Sequence, residues 1–265
     1  IPSVVGLNTD GIIRLMKTKF KGGNGRIDIV SEGLMLGHSG FAKAMRNVTY
    51  GLDRSGCNIK SIILDGDSIG CSKTEQGKRI LALSNNNVVG NGASFYISMN
   101  FPLGVRHHAG FYSIAYVMFE TVDFPKVFVD HLKNSGICEI WTPSWFCKES
   151  MERAGLKDVH VMPLGVDTDM FSREKADEPR FIPGNLGGEL AGKFKFLTTC
   201  GYSERKGVSI LVRAFNRAFA GRDSGKVALY FKGGWYPGDK AINEMNIVID
   251  SLGIPVNERP HIAYD

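Results

Sequence analysis

Residues 196–219 read FLTTCGYSERKGVSILVRAFNRAF, and this stretch sets the reading of the rest. Phe196 to Cys200 is an apolar run of strand length. It enters a short turn, Gly201–Tyr202–Ser203–Glu204–Arg205–Lys206–Gly207. Beyond the turn, Val208, Leu211, Phe215 and Ala218 recur at helical spacing, with Arg213, Asn216 and Arg217 on the other face. A strand, a tight turn with two glycines and a helix together aim open backbone N–H groups and the positive end of a helix at an anion. Arg205 adds a planar fork and Lys206 a compact charge, both suited to phosphate. The plainer alternative is an ordinary βα unit with two solvated cations.

Downstream, Val227–Lys232 (VALYFK) reads as a second strand, followed by a Gly/Pro-rich turn, a helix over 239–252 and a last strand, His261–Tyr264. This βαβαβ pattern is one mononucleotide-binding half of a doubly wound domain, where a full one has two, so the fold is expected to be only partly present here. Upstream, residues 170–193 mix prolines, glycines and charges in the manner of a linker. The domains are therefore placed at 1–177 and 194–265, with 178–193 between them.

The first domain repeats the same logic. Residues 1–25 are hard to place, and Lys17–Lys21 with Gly22, Gly23 and Gly25 reads as a loop. Arg26–Val30 is a strand leading to Gly37–His38–Ser39–Gly40 and an amphipathic helix with Phe41, Met45, Val48 and Leu52 on one face. Ser39 is its expected N-cap. Ser61–Asp65, Ala93–Met99, Phe111–Phe119, Glu139–Pro143 and Val159–Pro163 are further strands, and 66–92 is polar and loop-rich. Phe111–Phe119 is a near-continuous apolar run, as expected of a strand covered on both faces. Glu120 follows it, at the strand end where open α/β sheets hold ligands. Pro125 opens a helix, 126–133, with Val127, Val129 and Leu132 as core candidates. Ser144 caps another that ends at Gly155. Asn100, His107 and His108 lie in a loop where an acceptor could be touched. Adjacent histidines point in different directions, so chelation by the pair is not expected, and plain surface histidines are the alternative reading. Asp65–Gly66–Asp67 and Asp167–Thr168–Asp169 read as turns rather than metal sites, and no metal is expected.

Composition narrows the classes. Apolar residues make up 43% of the 265, enough for a sizeable core. No apolar run approaches the roughly 20 residues of a membrane span, and the N-terminal residues do not read as a signal peptide. Five scattered cysteines without a CxxC pair suit buried thiols in a reducing compartment, so a cytoplasmic location is expected. The net charge is +5, and residues 1–60 hold nine Lys/Arg against four Asp/Glu. That basic N-terminal region could meet an anionic membrane surface peripherally. No RNA-recognition signature or basic-aromatic stripe is present, so nucleic acid is not an expected partner.

Together these pieces, from about Arg26 to Asp265, resemble the retaining glycosyltransferases of the GT-B fold, family 4 (glycosyl transferases group 1). The most specific part is TPSWFCKESMERAGLKDVHVMPLGVDTDMF, with Gly165–Val166–Asp167 and Phe171. Arg205–Lys206–Gly207 with Ala214–Phe215 is similar to the family's donor-phosphate loop, and Gly37–Gly40 looks like its N-domain glycine loop. The resemblance implies an α/β fold of two Rossmann-type doubly wound domains facing a cleft. It implies sugar transfer from a nucleotide-diphosphate sugar with retention, without metal or other cofactor. Arg205, Lys206, Gly201, Gly207, Gly37, Ser39 and Gly40 would contact the donor diphosphate. Glu120 would be catalytic, in place of the histidine many members carry. Asn100, His107 and His108 would meet a glycan, lipid-linked or other small acceptor. The family's Glu-x7-Glu element has no counterpart before Asp265, so this stretch of chain is expected to lack part of the donor site. A non-catalytic sugar-nucleotide-binding or assembly module, or a same-fold epimerase, is the alternative. A nicotinamide dehydrogenase is disfavoured because neither glycine turn has the GxGxxG spacing.

Overall fold

The computed structural model describes residues 9–19, 26–68, 70–90, 93–166, 190–201, 203–232 and 238–264. The chain forms two compact α/β units, Ile1–Asp177 and Glu178–Asp265. Both are Rossmann-like, with parallel sheets. The linker expected over 178–193 lies largely outside the described residues. Its described end, Leu190, is buried against β-sheet residues of the second unit.

The first unit is a six-stranded parallel sheet built from β1 (Asp28–Gly33), β2 (Asn58–Ile63), β3 (Ser94–Met99), β4 (Phe111–Tyr116), β5 (Glu139–Thr142) and β6 (Val159–Val161). The spatial order is β2-β1-β3-β4-β5-β6. Ile29 pairs with Ile59 on one side and Phe95 on the other. The order reverses between β1 and β3, and that reversal opens the ligand crevice of a doubly wound sheet. Helices α1 (Thr9–Lys19), α2 (Gly40–Arg54) and α3 (Glu75–Leu83) share one core with Ile29, Ile59, Ile97, Ile114 and Trp141. Helices α4 (Lys126–Asn134) and α5 (Trp145–Arg153) share a second with Ala115, Val117, Ile140 and Val159. Along β4 and β5 residues alternate between these two cores, Ile114 and Tyr116 against Ala115 and Trp141 against Ile140, because successive side chains leave a strand on opposite faces.

Local signals account for α2 and α5. Ser39 Oγ accepts the Ala42 N–H at 3.0 Å and Ser144 Oγ accepts the Cys147 N–H at 3.3 Å. Met45, Val48 and Leu52 are buried as their spacing requires. Several expectations give way. Lys17 and Lys19 end α1 rather than lying in a loop, since Ile12 and Met16 one turn apart bury into the sheet core. The polar segment 66–92 contains α3, capped by Thr74 accepting from Gly77 N–H at 3.0 Å and anchored by Ile80 and Leu83. In α4, Val127 is exposed and Phe128 takes the core position, edge-on to Phe119 and Phe124.

Gly77 is needed for contact. A Cβ built on it would lie 2.0 Å from the Cys71 carbonyl oxygen and 2.6 Å from its carbon. Backbone cannot yield as a flexible side chain does. Overpacking of this kind costs up to about 3 kcal/mol, against a helix-propensity gain of about 1 kcal/mol for glycine to alanine. Gly77→Ala should therefore lose about 2 kcal/mol net, read as a lower urea midpoint at unchanged slope. An unchanged or raised midpoint would mean that the turn at Cys71–Lys73 shifts freely.

The second unit holds β7 (Phe194–Thr199), β8 (Val227–Lys232) and β9 (His261–Tyr264) in the order β7-β8-β9, all parallel. Helices α6 (Val208–Phe219) and α7 (Gly238–Asp250) cover the face carrying Val227, Leu229 and Phe231. The helical stripe of α6 is Val208, Val212, Phe215 and Asn216. Asn216, expected on the solvent face, is buried, and Ala218, expected in the core, is exposed. Among the described residues β7, the apolar strand that opens the unit, pairs with β8 alone, and Phe194 is 67% and Leu197 65% exposed.

Candidate functional site

All strands of the first unit run the same way, so residues following them collect on one rim. The β1–α2 turn (Leu34–Ser39), Asp65 after β2, Asn100 after β3 and Glu120 after β4 share it. The β1 and β3 ends flank the reversal point. Glu120 is exposed there, just beyond Phe119, whose carbonyl meets Cys147 Sγ of α5 at 3.0 Å.

His107 and His108 are elsewhere. Their loop joins the end of β3 to the start of β4 with only a turn of 3-10 helix, Pro102–Gly104, so it travels back along the sheet. His107 Nδ1 lies 3.1 Å from Ser113 Oγ near the start of β4, and the His107 ring packs beside Gly136, which precedes β5. The His108 ring stacks on Tyr96 at 4.1 Å. The pair belongs with the N-terminal halves of the strands, apart from the rim that carries Glu120. Asn100 is on the rim, but its amide closes its own turn, accepting the Phe101 N–H at 2.8 Å and donating to Gly104 O at 3.3 Å.

The glycine turn differs from a simple phosphate loop. The Gly37 N–H, expected to meet a diphosphate, donates to Asp65 Oδ2 at 2.6 Å, and the Met35 and Leu36 amides donate to Asp65 Oδ1 at 2.7 and 3.0 Å. Ser39 Oγ is held as the α2 cap, although its hydroxyl hydrogen can still donate to a ligand. Gly40 is exposed, with nothing within 4 Å of a built Cβ. Arg46, buried on α2, donates to Met35 O at 2.5 Å. Arg46 was not singled out from sequence, and Asp65 was read there only as part of a turn. The available signal was a buried-face arginine on α2 and an acid just past a strand end.

Asp67 likewise caps a turn, accepting from the Cys71 and Ser72 amides at 2.6 and 3.1 Å. Both acids of Asp65–Gly66–Asp67 are thus held by backbone. Among the described residues no cluster of three metal-ligating side chains occurs. Asp167–Thr168–Asp169, Phe171 and Tyr202 lie outside the described residues.

In the second unit, Glu204–Lys206 form one 3-10 turn between the end of β7 and α6. Gly207 follows at φ +68°, a conformation that favours glycine, and its N–H donates to Glu204 O at 2.9 Å. Its role is therefore the shape of the turn. Among the described residues no side chain caps α6. Among the described residues the amides of Val208, Ser209 and Ile210 have no acceptor, while Leu211 N–H already bonds back to Gly207 O. Arg205 and Lys206 are exposed beside this open end, and Gly201 is half-buried at the end of β7. No protein-family model and no curated protein matches the chain. The site is therefore read from its own chemistry.

The five cysteines are free; burial pushes the Cys57 thiol up to about 11, and Cys138, expected buried, is exposed. Burial, then the hydrogen bond to Glu32, raises the Tyr96 phenol. Of the basic N-terminal residues, Arg26 is bound to the Gly56 and Cys57 carbonyls and Arg46 is buried. No helix among the described residues is long and apolar enough to cross a membrane.

Proposed function

We propose that this chain is part of a GT-B-type retaining glycosyltransferase, which moves a sugar from a nucleotide-diphosphate sugar to a glycan, lipid-linked or other small hydroxyl acceptor. The observation that carries this reading is the α6 N-terminus, three amides open and uncapped, flanked by Arg205 and Lys206 at the end of a parallel strand. As the bond between the sugar's anomeric carbon and the phosphate oxygen breaks, the electron pair leaves with the nucleoside diphosphate. Fixed cations and a helix N-terminus stabilise that charge without reorganising. The acceptor oxygen forms the new bond on the same face, and its proton passes to a basic oxygen. Glu120, a carboxylate just past the strand ends of the first unit, is the residue to which the resemblance gives a catalytic role.

Lys206→Ala tests it. The loss of one charge-assisted hydrogen bond is worth about 1.5–3 kcal/mol, so affinity for a nucleoside diphosphate should fall roughly 10- to 150-fold. Calorimetry with UDP, GDP and ADP on the whole chain reads this directly. Binding of none of the three, or equal affinity in the variant, sinks the assignment.

A further inference from the structure

The β1–α2 turn carries an anion of its own. Three successive amides, those of Met35, Leu36 and Gly37, converge on the Asp65 carboxylate at 2.7, 3.0 and 2.6 Å. Successive N–H groups arranged this way form a nest, the concavity that holds phosphates and carboxylates. Gly37 fits that purpose: a Cβ there would lie 2.8 Å from Asp65 Oδ2. From the other side, Arg46 Nη1 donates to the carbonyl of Met35 at 2.5 Å and that of Gly37 at 3.5 Å. Arg46 is only 8% exposed. A carboxylate thus fixes the amides of the turn while a guanidinium fixes its carbonyls.

We propose that Asp65 is the resident anion of this nest and determines its specificity, excluding phosphate and phosphate esters from the Met35–Gly37 amides. An entering phosphate meets no open amide at those three positions and a like charge at hydrogen-bond distance. Removing the carboxylate exposes three convergent donors with Arg46 behind them, which is the make-up of a phosphate site. The inference does not depend on the transferase reading, which rests on Lys206 in the other unit.

The test uses the whole chain, 15N-labelled, with inorganic phosphate as the probe at constant ionic strength. In the wild type the amide resonances of Met35, Leu36 and Gly37 stay put throughout the titration. In Asp65→Ala the same three shift saturably, with affinity at least tenfold above wild type, and phosphate raises the melting temperature. Saturable shifts at these amides in the wild type overturn the proposal, as does a folded Asp65→Ala whose amides ignore phosphate. Should the alanine variant fail to fold, Asp65→Asn keeps the shape and removes the charge. Phosphate should then stabilise it against melting more than it does the wild type, and equal stabilisation overturns the proposal. The response of the Met35, Leu36 and Gly37 amides to phosphate is read in the first unit and donor binding through Lys206 in the second, so failure here and failure of the transferase reading are told apart.

Discussion

Trp141→Ala is expected to lower the stability of the first unit by about 3–5 kcal/mol, the range for removing a fully buried tryptophan. Trp141 sits in β5 with no exposed surface, edge-on to Tyr116 at 6.4 Å. Its indole Nε1 donates to Glu139 Oε1 at 2.7 Å. Glu139 is itself buried, with Tyr112 Oη donating at 3.1 Å and His160 Nε2 lying 3.6 Å from its carboxylate. Two losses combine: a cavity in the layer between the sheet and α1–α3, and a donor taken from a carboxylate that water does not reach. Trp141→Phe separates them. It keeps most of the packing and removes only the N–H, so it should cost about 1–3 kcal/mol. At roughly 2–4 °C per kcal/mol for a unit of this size, the alanine variant should melt about 6–20 °C lower, with phenylalanine between it and wild type. A fall of under about 3 °C for alanine would mean that the core refills the space.

These residues show where the sequence was readable. Trp141 lies in EIWTP, where β-favouring Ile, Trp and Thr stop at a proline, a pattern that reads as a strand without knowledge of its neighbours. Ser39 before α2 and Ser144 before α5 are equally local, because an N-cap acts on amides three residues away. What failed was non-local. Phe128 and Val127 both fit a helical stripe, and the angle at which Pro125 delivers α4 decides between them. Asn216 completes the α6 stripe on a polar residue. The polarity of 66–92 hid α3, whose two core residues matter only once β2 lies beneath them, where Ser61 Oγ donates to Ile80 O at 2.7 Å. His107 and His108 looked like ligand-end residues. A β3–β4 connection with no α-helix carries them down the sheet instead. Asp65 reaches back 28 to 30 residues to the glycine turn, a pairing no local pattern encodes. The candidate site divides the same way. The 3-10 turn and open helix end at Glu204–Ile210 follow from contiguous sequence, whereas the turn at Gly37 is set by a distant carboxylate.

Phe215→Ala should act on the second unit as strongly as Trp141→Ala acts on the first, and it links packing to the candidate phosphate site. Phe215 is buried on α6, 5.6 Å from the Phe196 ring and 5.2 Å from that of Phe219. Truncation there costs about 3–5 kcal/mol. A unit of the length of Glu178–Asp265 holds about 4–13 kcal/mol at 0.05–0.15 kcal/mol per residue. Phe194 and Leu197 of β7 are largely exposed and add little to that core. Calorimetry should show a separate transition at lower temperature, with the transition of the first unit unmoved. The amides of Val208, Ser209 and Ile210 point together only while α6 is intact. Nucleoside diphosphate binding should therefore weaken in Phe215→Ala although Arg205 and Lys206 are untouched. Lys206→Ala, altering an exposed side chain, should weaken binding and leave melting alone. Phe215→Leu, which keeps most of the buried volume, should hold both near wild type. If Phe215→Ala melts in two steps yet binds nucleoside diphosphate as the wild type does, with the second unit unfolded, the helix end is not the binding element and the cations act from elsewhere.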